Sequence, residues 1–197
     1  MTPIPTDMAL SLQDDIRNAV EVLRNGGVIL YPTDTVWGLG CDATRPEAVK
    51  RIFEIKKRAD SKALILLVGN EGTLQRYVND IPEVAWELIE AAVNPLTIIY
   101  DHPTGIAPEA TAPDGSAGFR ITSETVSQRL CNAFRKPLIS TSANISGKPT
   151  PRFFAEIDPA VIEAVDYVMA ARRDDSNPAS PSSIIKVSDG GLFKIIR

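Results

Sequence analysis

Gly26-Gly27-Val28-Ile29-Leu30-Tyr31-Pro32-Thr33-Asp34-Thr35-Val36-Trp37-Gly38-Leu39-Gly40 holds the transition that decides the fold. The glycine pair stops an amphipathic helix, and residues 28–32 read as a buried strand. Residues 33–42 are polar and punctuated by glycine, which predicts a loop carrying only a short extended piece. Upstream, Ser11 opens a capping-box pattern with Asp14 in place of Glu, and Leu12, Ile16, Ala19, Val20 and Leu23 share one helical face. Downstream, Pro46 near the first turn and Ala48, Val49, Ile52 and Phe53 on one face predict a second helix, ending in Lys56-Lys57-Arg58.

The alternation continues to the C-terminus. Strands are predicted over 63–68, 96–100, 117–121, 136–141 and 167–170, with helices over 73–78, 82–93, around Val126 to Phe134 and over 160–165. Residues 172–181 form a Pro/Ser/Asp-rich loop, and 182–187 with 192–196 read as a hairpin around Asp189-Gly190-Gly191. The pattern predicts an α/β protein with a mixed sheet flanked by helices. With no repeat and no linker, the chain reads as a single domain over 1–197, its core at about 12–197.

Composition narrows the function classes. The chain has 197 residues, 44% hydrophobic and 23% charged, enough for a real core. No apolar run reaches the ~18 residues of a membrane span, and residues 1–10 lack the pattern of a secretory signal. Cys41 and Cys131 are too few for a disulfide framework, and no His/Cys spacing suggests zinc; a cytoplasmic setting is expected. With 21 basic against 25 acidic residues the net charge is −4, which disfavours a protein that coats nucleic acid but leaves room for a local cationic pocket.

Neither a Walker loop nor a Gly-x-Gly-x-x-Gly turn is present. The single histidine, His102, beside Pro103 in a loop, reads as solvated, and both cysteines read as inert. Three polar segments flank strands, where ligands of α/β sheets gather: Pro32 to Gly40, Lys136 to Gly147, and the Ser182-Ser183 pair. Each also has a plain reading as turn chemistry. Lys56 and Arg58 with Lys62 straddle a helix-to-strand junction; they are either a solvated helix end or a polyphosphate clamp. Arg120, between Phe119 and Ile121 in a strand, is either an edge charge or an anchor for a carboxylate.

Tyr31-Pro-Thr-Asp-Thr-Val-Trp-Gly-Leu-Gly40, Lys56-x-Arg58 and Ser140-Thr-Ser-Ala-Asn-Ile-Ser-Gly147 together resemble the YrdC-like proteins in their short, single-domain, threonylcarbamoyl-AMP-forming form, from about Gly26 to the C-terminus. The resemblance implies a twisted mixed sheet around a cationic cavity. It implies that L-threonine, bicarbonate or CO2 and ATP, with Mg2+ on the phosphates, give threonylcarbamoyl-AMP and pyrophosphate. The product would pass to a tRNA threonylcarbamoyltransferase complex that modifies the adenosine next to the anticodon. Carried residue by residue, the resemblance puts Thr33, Arg120 and Ser182 on the threonine side. On the ATP side it puts Lys56, Arg58, Lys62, Ser140, Ser142 and Asn144, with Ser116 and Thr150 as weaker matches; Lys56 and Arg58 would be catalytic.

The chain departs from the family pattern in places. Ala92-Val-Asn-Pro95 replaces Trp-Pro-Gly-Pro, Ala59 replaces a proline, and Leu67 stands where some members use a histidine to touch threonine. The choice between Ser182 and Ser183 is open by one position. One rival reading is a non-catalytic RNA-binding paralogue acting in translation or ribosome maturation; retention of both Lys-x-Arg and Ser-x-Asn argues against it, while weak tRNA binding stays open. Another, the carbamoyl-AMP-forming domain of hydrogenase-maturation proteins, belongs to much larger chains.

Overall fold

A computed structural model describes residues 10–57, 64–175 and 181–197. Among the described residues, nine strands form one sheet in the order β7-β1-β2-β6-β3-β5-β4-β8-β9. They are β1 (Ile29–Tyr31), β2 (Gly38–Gly40), β3 (Ile65–Val68), β4 (Leu96–Tyr100), β5 (Ala117–Ile121), β6 (Leu138–Ser142), β7 (Tyr167–Val168), β8 (Ser183–Val187) and β9 (Phe193–Ile195). The pairs β1–β7, β3–β5 and β4–β8 are parallel and the other five antiparallel, so the sheet is mixed as the sequence predicts. Around it lie α1 (Leu12–Arg24), α2 (Pro46–Lys56), α3 (Glu71–Leu74), α4 (Glu83–Ala91), α5 (Thr125–Phe134) and α6 (Pro159–Ala164).

Side-chain alternation splits the sheet into two faces. Leu30, Leu39, Leu66, Val68, Ile98, Phe119, Ile139 and Val187 point to one of them. They pack with Val49, Ile52 and Phe53 of α2, Leu74 of α3, Ala85 of α4 and Val161 of α6. The other face carries Ile29, Tyr31, Leu67 and Leu138 under Ile16, Ala19, Val20 and Leu23 of α1 and Val126, Leu130 and Phe134 of α5. The strand registers put Gly38, Gly40, Ser140, Ser142, Gly118 and Arg120 on this second face as well. Small residues there keep the sheet floor low. A Cβ on Gly40 would meet the Tyr31 ring at 2.7 Å, and one on Gly118 would meet Thr97 Cγ2 at 3.1 Å.

Local chemistry explains several boundaries. Ser11 caps α1 by accepting the Asp14 N–H at 3.1 Å, as its sequence pattern predicts. The predicted helix over 73–78 begins earlier and is shorter, because the Asn70 side chain caps it by accepting the Thr73 N–H at 2.8 Å. The strand predicted from 136 starts instead at Leu138. Lys136 is drawn aside to Asp42, whose buried carboxylate takes its ammonium at 2.8 Å. Asp15, also buried, accepts the N–H groups of Ala170 and Ala171, each at 2.9 Å, and the Tyr167 hydroxyl at 2.7 Å, tying α1 to the chain after β7. No helix among the described residues is long and apolar enough to cross a membrane.

Candidate active site

The open part of the second sheet face is a hollow of about 540 Å3. Its floor and walls include Gly38, Ile65, Ser140, Ser142, Arg120 and Ser182, with Thr35, Thr150, Arg152 and Arg197 at its sides. Three arginines line this cavity, with no Asp or Glu side chain among its described lining residues, and the Arg152 guanidinium is paired with Glu156 at 2.8 Å. It is reached from the end of β6 and also from the starts of β3 and β8, so the strand ends alone do not define it.

Arg120 lies on an interior strand and is only 3% exposed, which rules out the edge-charge reading. Its Nη2 is 2.9 Å from Asp34 Oδ1 and 3.5 Å from Thr35 Oγ1. Its Nε has no hydrogen-bond partner among the described residues. Burial pushes the Asp34 carboxyl above its ordinary range, against the pull of the Arg120 charge. Leu67 pairs in register with Arg120 and is fully buried, so the neighbouring strand offers Arg120 an apolar flank.

Lys56, at the C-terminus of α2, is buried rather than solvated. Its Nζ donates to the carbonyl of Ser142 at 2.5 Å, to that of Asn144 at 2.8 Å and to Asn144 Oδ1 at 3.3 Å. Asn144 Oδ1 also takes the Ser142 hydroxyl at 2.5 Å, and Asn144 Nδ2 donates to the Lys148 carbonyl at 2.7 Å. The Lys-x-Arg and Ser-x-Asn segments are thus physically joined by the lysine of one and the turn of the other. Arg58 and Lys62 fall outside the described residues.

The remaining sequence candidates divide. Ser140, Ser142, Thr150 and Ser182 line the hollow. Ser182 is buried, its hydroxyl 3.1 Å from Thr97 Oγ1, and lines the hollow, whereas Ser183 is exposed and is not among its lining residues. Thr33 is turned into its own loop, donating to the Val36 carbonyl at 2.7 Å and accepting the Thr35 N–H at 3.0 Å, while Thr35 reaches the hollow. Ser116, just before β5, is not among the residues lining the hollow; its hydroxyl donates to Asp114 Oδ1 at 2.6 Å.

Sequence reading passed over Asp34, Thr35, Arg152 and Arg197. The first two lie in a motif that was singled out, but pattern alone does not say which side chain points where. Arg197, the last residue, gives no pattern at all; its Nη2 donates to the Ser182 carbonyl at 3.2 Å.

Other chemistry is sparse. His102 is exposed, and the two cysteines are buried, with burial pushing the Cys131 thiol up to about 12. No cluster of three His, Cys, Asp or Glu among the described residues is placed to hold a metal ion. A second hollow of about 420 Å3, at the other end of the β4–β8 pair, includes Asp80, Asp101 and Asp189 in its lining, a repulsive setting for phosphate.

Known proteins are similar in sequence and fold. The Sua5/YciO/YrdC family model, described as telomere recombination, matches residues 21–197. A threonylcarbamoyl-AMP synthase of Pseudoalteromonas translucida is 35% identical over 188 residues, 94% of this chain and all of that one. One of Xanthomonas campestris pv. campestris is 39% identical over 160 residues, 79% of this chain and 84% of that one. Among solved structures, E. coli YciO superposes with a TM-score of 0.78 at 27% identity, over 92% of this chain and 87% of its own. P. abyssi Sua5 complexed with L-threonine gives 0.77 at 27% identity over 90% of this chain, which spans only about half (52%) of that longer protein. A sheet with one face left open over a guanidinium-lined hollow is here the work of a chain that belongs to the Sua5/YciO/YrdC family.

Proposed function

We propose that this protein is a threonylcarbamoyl-AMP synthase, joining L-threonine, CO2 from bicarbonate, and ATP with release of pyrophosphate. The observation that carries the reading is the hollow itself, whose lining combines Arg120, Arg152 and Arg197 with glycine and serine. The likeness to synthases over nearly the whole chain supports it.

The reaction brings together negative groups. The neutral amine of threonine adds to CO2, releasing a proton and leaving a carbamate. A carbamate oxygen then attacks the α-phosphorus while pyrophosphate departs with the bond electrons. Both partners in that displacement are anions, so charge neutralisation and alignment dominate over proton transfer. Guanidinium groups suit this because they stay charged and bind carboxylate or phosphate in a fork.

In this reading the buried Arg120, with its unpartnered Nε, takes the threonine carboxylate, and Ser182 and the Thr33–Thr35 loop complete the amino-acid end. Ser140, Ser142 and Thr150 face the nucleotide, and Arg152, Arg197, Arg58 and Lys62 meet its phosphates. Lys56 acts from below, by holding the Ser142–Asn144 turn. Mg2+ enters as part of the ATP substrate, held by phosphate oxygens and water as that ion prefers. The product would serve a tRNA threonylcarbamoyltransferase complex.

The test is pyrophosphate release with each component omitted in turn. Release that requires ATP, threonine and bicarbonate together is expected; release, or its absence, regardless of threonine and bicarbonate overturns the reading.

A further inference from the structure

Arg120 is a buried cation that needs a reason to be stable where it is. Taking a charge out of water costs several kcal/mol unless an opposite charge stands close by. Of the groups around its guanidinium, Asp34 supplies that charge, with Oδ1 2.9 Å from Nη2. Both side chains are almost wholly buried, at 3% and 7% exposure. Neither Asp34 Oδ1 nor Arg120 Nε has an aligned hydrogen-bond partner among the described residues. The pair is therefore close in charge but incomplete in hydrogen bonding, and the unmet donor belongs to the residue that lines the hollow.

The location of Asp34 fits a role in orienting its neighbour. It follows β1 in a loop locked by Thr33, whose hydroxyl donates to the Val36 carbonyl, and by Arg172, whose Nη1 donates to the Thr33 carbonyl at 3.0 Å. Arg172 is in turn 3.2 Å from Glu124, which caps α5. A carboxylate on so fixed a loop holds one side of the guanidinium in place. Leu67, on the strand beside Arg120, offers no polar alternative.

We infer that Asp34 is a positioning residue for the amino-acid substrate: its carboxylate fixes Arg120 so that the guanidinium presents its unmet N–H to the substrate carboxylate. This deepens the proposed function and rests on it. Asp34 acts through Arg120 and touches no reacting atom. It sets threonine affinity and leaves nucleotide affinity alone.

The experiment is steady-state pyrophosphate release by wild type and Asp34→Asn, an isosteric change that removes the charge, varying threonine and ATP separately. The expected result is a rise in KM for threonine of about tenfold or more, with KM for ATP within about twofold and kcat at saturating threonine little changed, as loss of a binding interaction dictates. In an Arg120→Lys background the same substitution is expected to add little, because the group it orients is gone. If Asp34→Asn does not fold, Asp34→Glu, which keeps the charge but displaces it by one methylene, is read in the same assay with the same split expected. An unchanged KM for threonine, or equal loss toward both substrates, overturns the role given to Asp34 while an active wild type leaves the synthase reading intact. A wild type that releases no pyrophosphate on addition of threonine and bicarbonate takes down both.

Discussion

The ammonium of Lys56 lies 2.5 Å from the carbonyl of Ser142 and 2.8 Å from that of Asn144, fastening the end of α2 to the turn after β6. Two motifs 86 residues apart in sequence are one structural unit. The Ser142 carbonyl also accepts the Asn144 N–H at 2.9 Å, so there the lysine is a second donor, while it gives the Asn144 carbonyl a donor of its own.

Replacing that lysine tests the coupling. Lys56→Met keeps most of the volume and removes the donor, taking it from the Asn144 carbonyl while the Ser142 carbonyl keeps the Asn144 N–H. The expected loss is about 1–3 kcal/mol, the scale for one buried group left unsatisfied. Urea denaturation measures it, and an unchanged midpoint would show that water replaces the ammonium without cost.

The Arg120–Asp34 pair predicts a pH-dependent penalty. Asp34 is held above its ordinary carboxyl range by burial, so the folded state keeps its proton more readily than the unfolded chain. Stability from this group is thus greatest below the ordinary carboxyl range and falls as pH rises through the folded value. Arg120→Met removes the opposing charge and raises that value further. The variant is expected to lie close to wild type near pH 4 and well below it at pH 7.5, with the gap read from denaturant midpoints at both pH values. A gap that is constant, or that narrows toward neutrality, would contradict the sign.

Asp15 anchors the stretch after β7 to α1. Asp15→Ala strips the acceptor from two backbone N–H groups and one tyrosine hydroxyl. A loss of about 2–4 kcal/mol is expected on the same per-group scale. Hydrogen exchange should show Ala170 and Ala171 losing protection first; global unfolding with no local opening there would assign the loss elsewhere.

The floor of the hollow is kept low by small residues beside and beneath it. At Gly118 a Cβ already meets Thr97 Cγ2 at 3.1 Å, and the Thr97 hydroxyl is 3.1 Å from that of Ser182. Gly118→Val suits a strand but crowds this pair, at an overpacking cost of about 1–3 kcal/mol. A folded variant with at least a tenfold rise in threonine KM is expected. Normal threonine kinetics in the folded variant would place the substrate elsewhere on the sheet.

Particular residues show how far the sequence could be read. The Ser11 cap, the Gly26-Gly27 stop and the 28–32 apolar run are local signals, and the helix and strand they predict are where the structure has them. Local chemistry also hid things. The Asn70 cap moved one helix and the Lys136–Asp42 pair shortened one strand, the first by a side chain three residues away from its partner, the second by one 94 residues away.

For the site, the residue types were legible and their directions were not. Ser182 over Ser183, Thr35 beside the hollow with Thr33 folded away from it, and the role of Arg197 depend on which way each side chain turns once the strands are paired.

The amino-acid order alone settled the mixed α/β class and singled out the motif segments that border the hollow, because periodicity, caps and turn residues act within a few neighbours of themselves. Only the folded sheet decided that two helices leave part of one face uncovered, that Lys56 donates to the Ser142–Asn144 turn, and that Arg120 lies buried against Asp34. Those outcomes depend on strand register and on charges brought together from distant segments, and no local pattern encodes either.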